Sequence, residues 1–157
     1  MVGDVPEDFR TITPQLVVKN ASAAIDWYTK AFGANELLRN AAPDGGSIMH
    51  SELLLGDSRF FVVDEIGPMT GPESLGGTTI TLHLYVPDVD ALFARAVQAG
   101  GTVLMPVADQ FWGDRYGILR DPYGHRWSVA SRIEDFSPQT LQKRAADWAK
   151  ERTNDDQ

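Results

Sequence analysis

The chain reads as an α+β protein of two tandem βαβββ modules followed by a C-terminal helix. Three observations predict this. Residues 11–20 have a counterpart in residues 79–88, 68 positions on (79 − 11 = 68), with Leu16 falling on Leu84 and Val18 on Val86. Each of these segments ends on a residue that caps helices, Asn20 or Asp88, whose side chain can accept from the unpaired amides of a first helical turn. After each cap come one helical pattern and three short strand-like runs.

In the first module, Ala24, Ile25, Tyr28 and Phe32 recur at helical spacing, and Gly33 can take the left-handed conformation that ends a helix. Strand-like runs follow at 36–40, 47–55 and 59–64, separated by Pro43-Asp44-Gly45-Gly46 and Gly56-Asp57. In the second module, Leu92, Phe93, Ala96 and Val97 form the helical stripe, and Gly100-Gly101 stops it. Its strands fall at 102–107, 116–120 and 126–131, with Asp121-Pro122-Tyr123-Gly124 as a turn. Module one therefore spans 11–65 and module two 78–132, joined by a Gly- and Pro-rich linker at 66–77. Ser137 and Pro138 start a helix expected to end near 152, with Leu141, Ala145 and Trp148 as its apolar stripe. Residues 153–157 are expected to fray, and 1–152 form one domain.

Composition narrows the function. A chain of 157 residues that is 43% hydrophobic can bury one real core but not two large domains. Its net charge of −8 opposes capture of nucleic acid or an anionic membrane, both of which need dense positive patches. There is no cysteine, which excludes disulfides, thiolate metal sites and a cysteine nucleophile. No apolar run approaches the ~18 residues of a membrane span. The acidic, proline-bearing first ten residues do not read as a secretory signal, so a cytoplasmic protein is expected.

Two βαβββ units, Ile25-Asp26-Trp27-Tyr28 in the first helix and Asp121-Pro122-Tyr123-Gly124-His125 before the last strand resemble the vicinal oxygen chelate superfamily of glyoxalases, extradiol dioxygenases, fosfomycin resistance proteins and bleomycin-binding proteins. The resemblance covers residues 11–132. Trp112-Gly113-Asp114-Arg115, the 121–127 stretch and Glu134-Asp135 look most like its PhnB-like group. Membership implies curled mixed sheets that form a cupped cavity, and pairing into a homodimer. It does not imply a reaction, because one scaffold hosts many chemistries.

In metal-dependent members of that superfamily, the ion is held by His, Gln or Glu from the first and last strands of each module. The repeat assigns those positions to Thr13, Thr81, Phe60 and Ser128, none of them a usual ligand of a divalent metal. The expectation is a site with no metal or other cofactor. The alternative is a divalent metal at a displaced site built from His83, His50 and Glu52, since strand neighbours two apart share a face.

A small organic molecule is the expected partner. The candidate cavity walls are Phe60, Phe111, Trp112 and Tyr116, and the candidate polar groups are Gln15, His50, Glu52, His83, Arg126 and Ser128. Residues 109–116 read as a loop carrying two bulky aromatics beside Gly113, where stacking on a ligand competes with covering a core edge. Trp27 and Trp148 read as core or interface, Trp127 as packing beneath a helix on the face opposite Ser128, and His125 as part of the hairpin. Three functions stand on the sequence. They are a metal-free binding protein for an aromatic, antibiotic-like compound, as in the bleomycin-binding relatives; an enzyme of glyoxalase, isomerase or dioxygenase type using a displaced metal or acid-base work by Glu52 or His83; and a dimeric interaction scaffold.

Overall fold

The computed structural model of the chain describes residues 3–155. Module one comprises β1 (Gln15–Val18), α1 (Ala21–Phe32), β2 (Asn35–Ala41), β3 (Ile48–Leu55) and β4 (Ser58–Asp64). Module two comprises β5 (Thr81–Tyr85), α3 (Val89–Gln98), β6 (Thr102–Asp109), β7 (Asp114–Arg120) and β8 (Arg126–Arg132). Each forms a four-stranded mixed sheet, ordered β1-β4-β3-β2 and β5-β8-β7-β6. The first and last strands of each module pair in parallel, and the other pairs are antiparallel.

Both capping expectations hold. The Asn20 and Asp88 side chains accept from the amides of Ala23 and Ala91, at 3.1 and 3.0 Å. Gly33 closes α1 in the left-handed conformation, at φ 74°. The linker contains a one-turn helix, α2 (Pro72–Leu75), which was not expected. Its signals were local: Pro72 at the first helical position and Gly76 in the left-handed conformation after the last. The terminal helix α4 (Pro138–Asp155) runs past the expected end at 152, and the rest of the expected frayed tail, 156–157, lies outside the described residues.

One core joins the modules through their helices. The Trp27 indole donates to the Ala99 carbonyl at 2.8 Å, and the Arg95 guanidinium donates to the Lys30 carbonyl at 2.6 Å. Tyr28 is fully buried among Phe32, Phe60, Tyr123 and Trp127. Its hydroxyl donates to Asp121 at 2.6 Å, and burial foremost, then the Asp121 charge, pushes its pKa well above the usual 10.0. Trp127 does pack beneath a helix, although the helix is α1 of the other module, with Phe32 at 4.8 Å. His125 also crosses between modules, its Nε2 lying 3.0 Å from the Val17 carbonyl on the free edge of β1.

Pairing corrects the expected repeat by one residue in the last strands. Gln15 lies beside Phe61 in module one, whereas His83 lies beside Ser128 in module two. The counterpart of Ser128 is therefore Phe61, and Phe60 corresponds to Trp127. Phe60 shares Trp127's inward face, with the two rings 6.1 Å apart. Side chains alternate along a strand, so a slip of one position exchanges the faces.

Candidate functional site

The faces turned away from α1 and α3 stay open, and the candidate site residues are distributed over both. On module two, direct cross-strand partners project to the same side. His83, Ser128, Ile118 and Met105 form one row, and Tyr85, Ala130, Tyr116 and Ala108 form the next. His83 sits between two aromatic rings, Tyr85 edge-on at 4.6 Å and Tyr116 nearly parallel at 5.9 Å. Trp112 meets Tyr116 edge-on at 5.3 Å, and Phe111 meets Trp112 at 5.1 Å. Among the expected residues, then, His83, Ser128, Tyr116, Trp112 and Phe111 come together.

Asp114 holds this arc. It is 1% exposed, and its Oδ2 accepts from the Tyr85 hydroxyl at 2.9 Å and the Trp112 indole at 3.0 Å. Its Oδ1 lies 3.1 Å from Arg132 Nε, close enough for charge pairing but without an aligned hydrogen bond. The hydrogen bond to Asp114 raises the pKa of Tyr85, which is 59% exposed and keeps its proton at neutral pH. Neither Asp114 nor Tyr85 was among the sequence candidates. Tyr85 could have been found, since it lies two residues beyond His83 on one face. Asp114 stood in the Trp112-Gly113-Asp114-Arg115 run, but the run gave it no role, because two of its three partners come from the distant strands β5 and β8.

Residues 109–116 are not the expected loop. β6 extends to Asp109 and β7 starts at Asp114, leaving a tight turn in which the Gly113 amide donates to Gln110 at 3.1 Å. The aromatic pair thus sits on a hairpin tip. From there Phe111 reaches Trp148 of α4 at 5.3 Å. Leu141 and Trp148 are otherwise 37% and 42% exposed, so the expected stripe of α4 is only lightly covered.

On module one, His50 lies 3.3 Å from Glu52 and 4.7 Å edge-on from the Phe61 ring. Arg59 donates to Glu52 at 3.2 Å, and its guanidinium stacks over Phe9 at 4.9 Å. Gln15 is exposed on the same face, with its amide 3.2 Å from Met69 Sδ. Between the modules lies a cleft of about 670 Å³, bounded by Ile12 to Pro14, the β3–β4 turn, and Leu82 to Pro87 on β5 and just after it. His83 and Tyr85 border it on one side, and Phe60 and Trp127 close its back.

The superfamily's metal can be tested against these donors. Thr13 precedes β1, Thr81 lies beside Arg126, the core residue Phe60 and its register-corrected replacement Phe61 are both apolar, and Ser128 is bonded to His83, with Oγ 2.7 Å from Nδ1. Among the described residues, no three His, Cys, Asp or Glu side chains gather into a group able to hold a metal ion. His50, Glu52 and His83 are not such a group, so the displaced trio does not assemble, and Arg59 already pairs with Glu52. These residues do not fit a divalent cation.

Burial lowers the His83 pKa below the usual 6.5, against an opposing pull from Asp114. A depressed imidazole pKa means that the unfolded chain takes up the proton first. The associated stability is present above pH 6.5 and is lost as pH falls through the lowered value. An NMR titration of the histidine ring carbons is expected to place the His83 midpoint below 6.5; a midpoint above it contradicts the burial argument.

Two βαβββ modules, each with parallel end strands and a polar-aromatic open face, define the class as the paired-module fold of glyoxalase type. The chain belongs to the Glyoxalase/Bleomycin resistance protein/Dioxygenase superfamily, which residues 11–129 match. The Mycobacterium tuberculosis protein Rv0887c is 44% identical over 136 residues, or 83% of this chain and 79% of the relative. CFP32 of Mycobacterium bovis, provisionally named a glyoxylase, is 33% identical over 74% of this chain and 44% of its own length. Among solved structures, TioX from Micromonospora is 31% identical, with TM-score 0.65 over 79% of this chain and 99% of that one. A PhnB protein from Bacillus cereus, 20% identical with TM-score 0.63 over 78% of this chain and 99% of its own, shares the fold. No helix among the described residues is long and apolar enough to cross a membrane.

Proposed function

We propose that this protein is a cytoplasmic binder of a small aromatic compound, held without a metal on the open face of module two. The observation that carries the reading is the arc of Tyr85, His83, Tyr116 and Trp112 fastened by the buried Asp114. Rings held rigidly at their edges offer stacking surface with little ordering cost, and offset or edge-on ring pairs contribute about 0.5–1.5 kcal/mol beyond area burial. The Ser128–His83 pair adds a polar group that can orient a bound molecule. The donor set described above supports the metal-free part of the reading.

The test is tryptophan fluorescence against a library of aromatic metabolites. A hit should quench saturably, be recovered chemically unchanged, and bind at least about tenfold more weakly to Tyr116→Ala, about 1.4 kcal/mol. Dialysed protein given zinc, nickel or manganese should give no stoichiometric isotherm by calorimetry. A one-to-one isotherm abolished by His83→Ala overturns the metal-free reading. Homodimerisation belongs to the same proposal, supported by the exposed Leu37, Leu38, Val103 and Leu104 on the edge strands β2 and β6. A 17.3 kDa species in sedimentation at micromolar concentration contradicts it.

A second reading rests on His50 and Glu52, 3.3 Å apart beside Arg59, which could pass a proton to or from a substrate. It predicts that a ligand of the protein is consumed and that Glu52→Gln stops turnover while leaving the fold intact.

A further inference from the structure

The end of module two's open face carries a row that the aromatic arc does not use. Thr81 on β5 lies opposite Arg126 on β8, Arg126 opposite Arg120 on β7, and Arg120 opposite Thr102 on β6. Two guanidiniums are thus direct cross-strand partners, flanked by two hydroxyl-bearing residues. Like charges directly opposite each other destabilise a sheet. Neither arginine has a carboxylate within 4.0 Å among the described residues, and Arg126 makes only a 3.3 Å bond to the Thr78 carbonyl. Arg39, Arg59, Arg115, Arg132 and Arg144 each pair with a carboxylate. Arg10, Arg95 and Arg152 also have none among the described residues, Arg95 donating to backbone carbonyls and Arg152 lying over the Trp148 ring. What sets Arg120 and Arg126 apart is that they face each other directly.

The overall charge sharpens this contrast. With 22 acidic residues against 14 basic ones, the chain has carboxylates to spare. Glu73 lines the same groove of about 360 Å³ as Arg120 and yet makes no such pair. The Asp121 carboxylate, next to Arg120 in sequence, is buried and committed to Tyr28, Trp127 and two turn amides. Paired guanidiniums left without acids are suited to an oxyanion, which they can hold by parallel N–H bonds.

We infer that the Arg120–Arg126 pair binds the carboxylate of the ligand, which makes the ligand an aromatic acid rather than a neutral aromatic compound; this rests on the binding reading above. The spacing supports one molecule reaching both features. His83 and Ser128 lie one row, two residues, along from the arginines, and Tyr116 and Tyr85 lie one row further. At about 3.3 Å per residue these rows are roughly 7 and 13 Å away, and an extended arginine recovers about half the longer span.

The probes are 4-phenylbutyrate and its neutral amide, titrated by calorimetry against the full chain. The acid is expected to bind at least tenfold more tightly than the amide, with an affinity that falls as potassium chloride is added. Arg120→Ala/Arg126→Ala should lose that preference and bind the amide as the unaltered protein does. Independently of any variant, the Nε–H resonances of Arg120 and Arg126 should shift with the acid and not with the amide. Equal affinity for the two probes, or a preference that survives in the double variant, overturns the inference. If neither probe binds while other uncharged aromatics quench Trp112, the inference falls and the aromatic site stands. If no aromatic compound of either kind binds, both fall.

Discussion

Replacing Asp121 by alanine is expected to cost about 4 kcal/mol of folding stability, the largest effect of any single polar substitution in the core. Its Oδ2 accepts from the Tyr28 hydroxyl at 2.6 Å and the Trp127 indole at 2.8 Å. Its Oδ1 accepts from the backbone amides of Tyr123 and His125, at 2.9 and 3.0 Å. Truncation leaves four donors without their acceptor at the junction of the modules, and each buried donor left unpaired costs about 1–3 kcal/mol. Partial rehydration of the turn amides keeps the total below the simple sum. Asp121→Asn retains an acceptor for one pair of donors and should lose roughly half as much. Urea unfolding followed by near-ultraviolet circular dichroism measures both, and a loss below about 1 kcal/mol for the alanine variant contradicts the account. A pH arm follows from Tyr28. Its raised pKa means that the unfolded chain ionises first, so the stability is complete below pH 10 and is lost as pH rises beyond it. Tyr28→Phe removes that alkaline dependence.

Asp121 also illustrates what could be read from sequence. The Asp-Pro-Tyr-Gly run identifies a turn, and Asp121 does close it through two amides. Nothing local reveals that its second oxygen receives a tyrosine from 93 residues away. The caps at Asn20 and Asp88 were legible because a cap is completed within three residues of itself. The strand faces were legible only up to a phase. The 68-residue offset carries Gln15 onto His83, but Phe61, not Phe60, is the counterpart of Ser128, an offset of 67 (128 − 61 = 67). One residue lost between helix and last strand is invisible to a repeat anchored on Gly56 and Gly124, and it exchanges the core and open faces. The aromatic arc was partly visible for the same reason. Tyr116, Trp112 and His83 carry their own chemical signal, whereas Asp114 becomes important only when strands distant in sequence bring Tyr85 and Arg132 to it.

Gly113→Ala is expected to abolish ligand binding and to lower stability by about 3 kcal/mol, although the substitution adds a single methyl group. The backbone there has φ 90°, a conformation that side chains rarely tolerate, and leaving the glycine state costs about 1–2 kcal/mol. The new Cβ would also meet the Glu134 carbonyl oxygen and lie 2.8 Å from the Phe136 ring, adding overpacking worth about 1–3 kcal/mol. Neither neighbour can simply withdraw. The Gly113 carbonyl accepts from the amides of Ile133 and Glu134, at 2.9 and 3.1 Å, and Arg144 stacks on Phe136 at 4.5 Å while pairing with Glu134 at 2.7 Å. Relief therefore requires either the chain at 133–136 to lift or the turn to open. Opening the turn draws the Trp112 indole from Asp114 and breaks the aromatic arc at its outer end. Thermal unfolding and tryptophan quenching, measured beside Trp112→Ala, separate these outcomes. A Gly113→Ala protein that is destabilised yet binds as the unaltered chain does would mean that the C-terminal segment gave way instead, and that the hairpin tip does not need that segment to present Trp112.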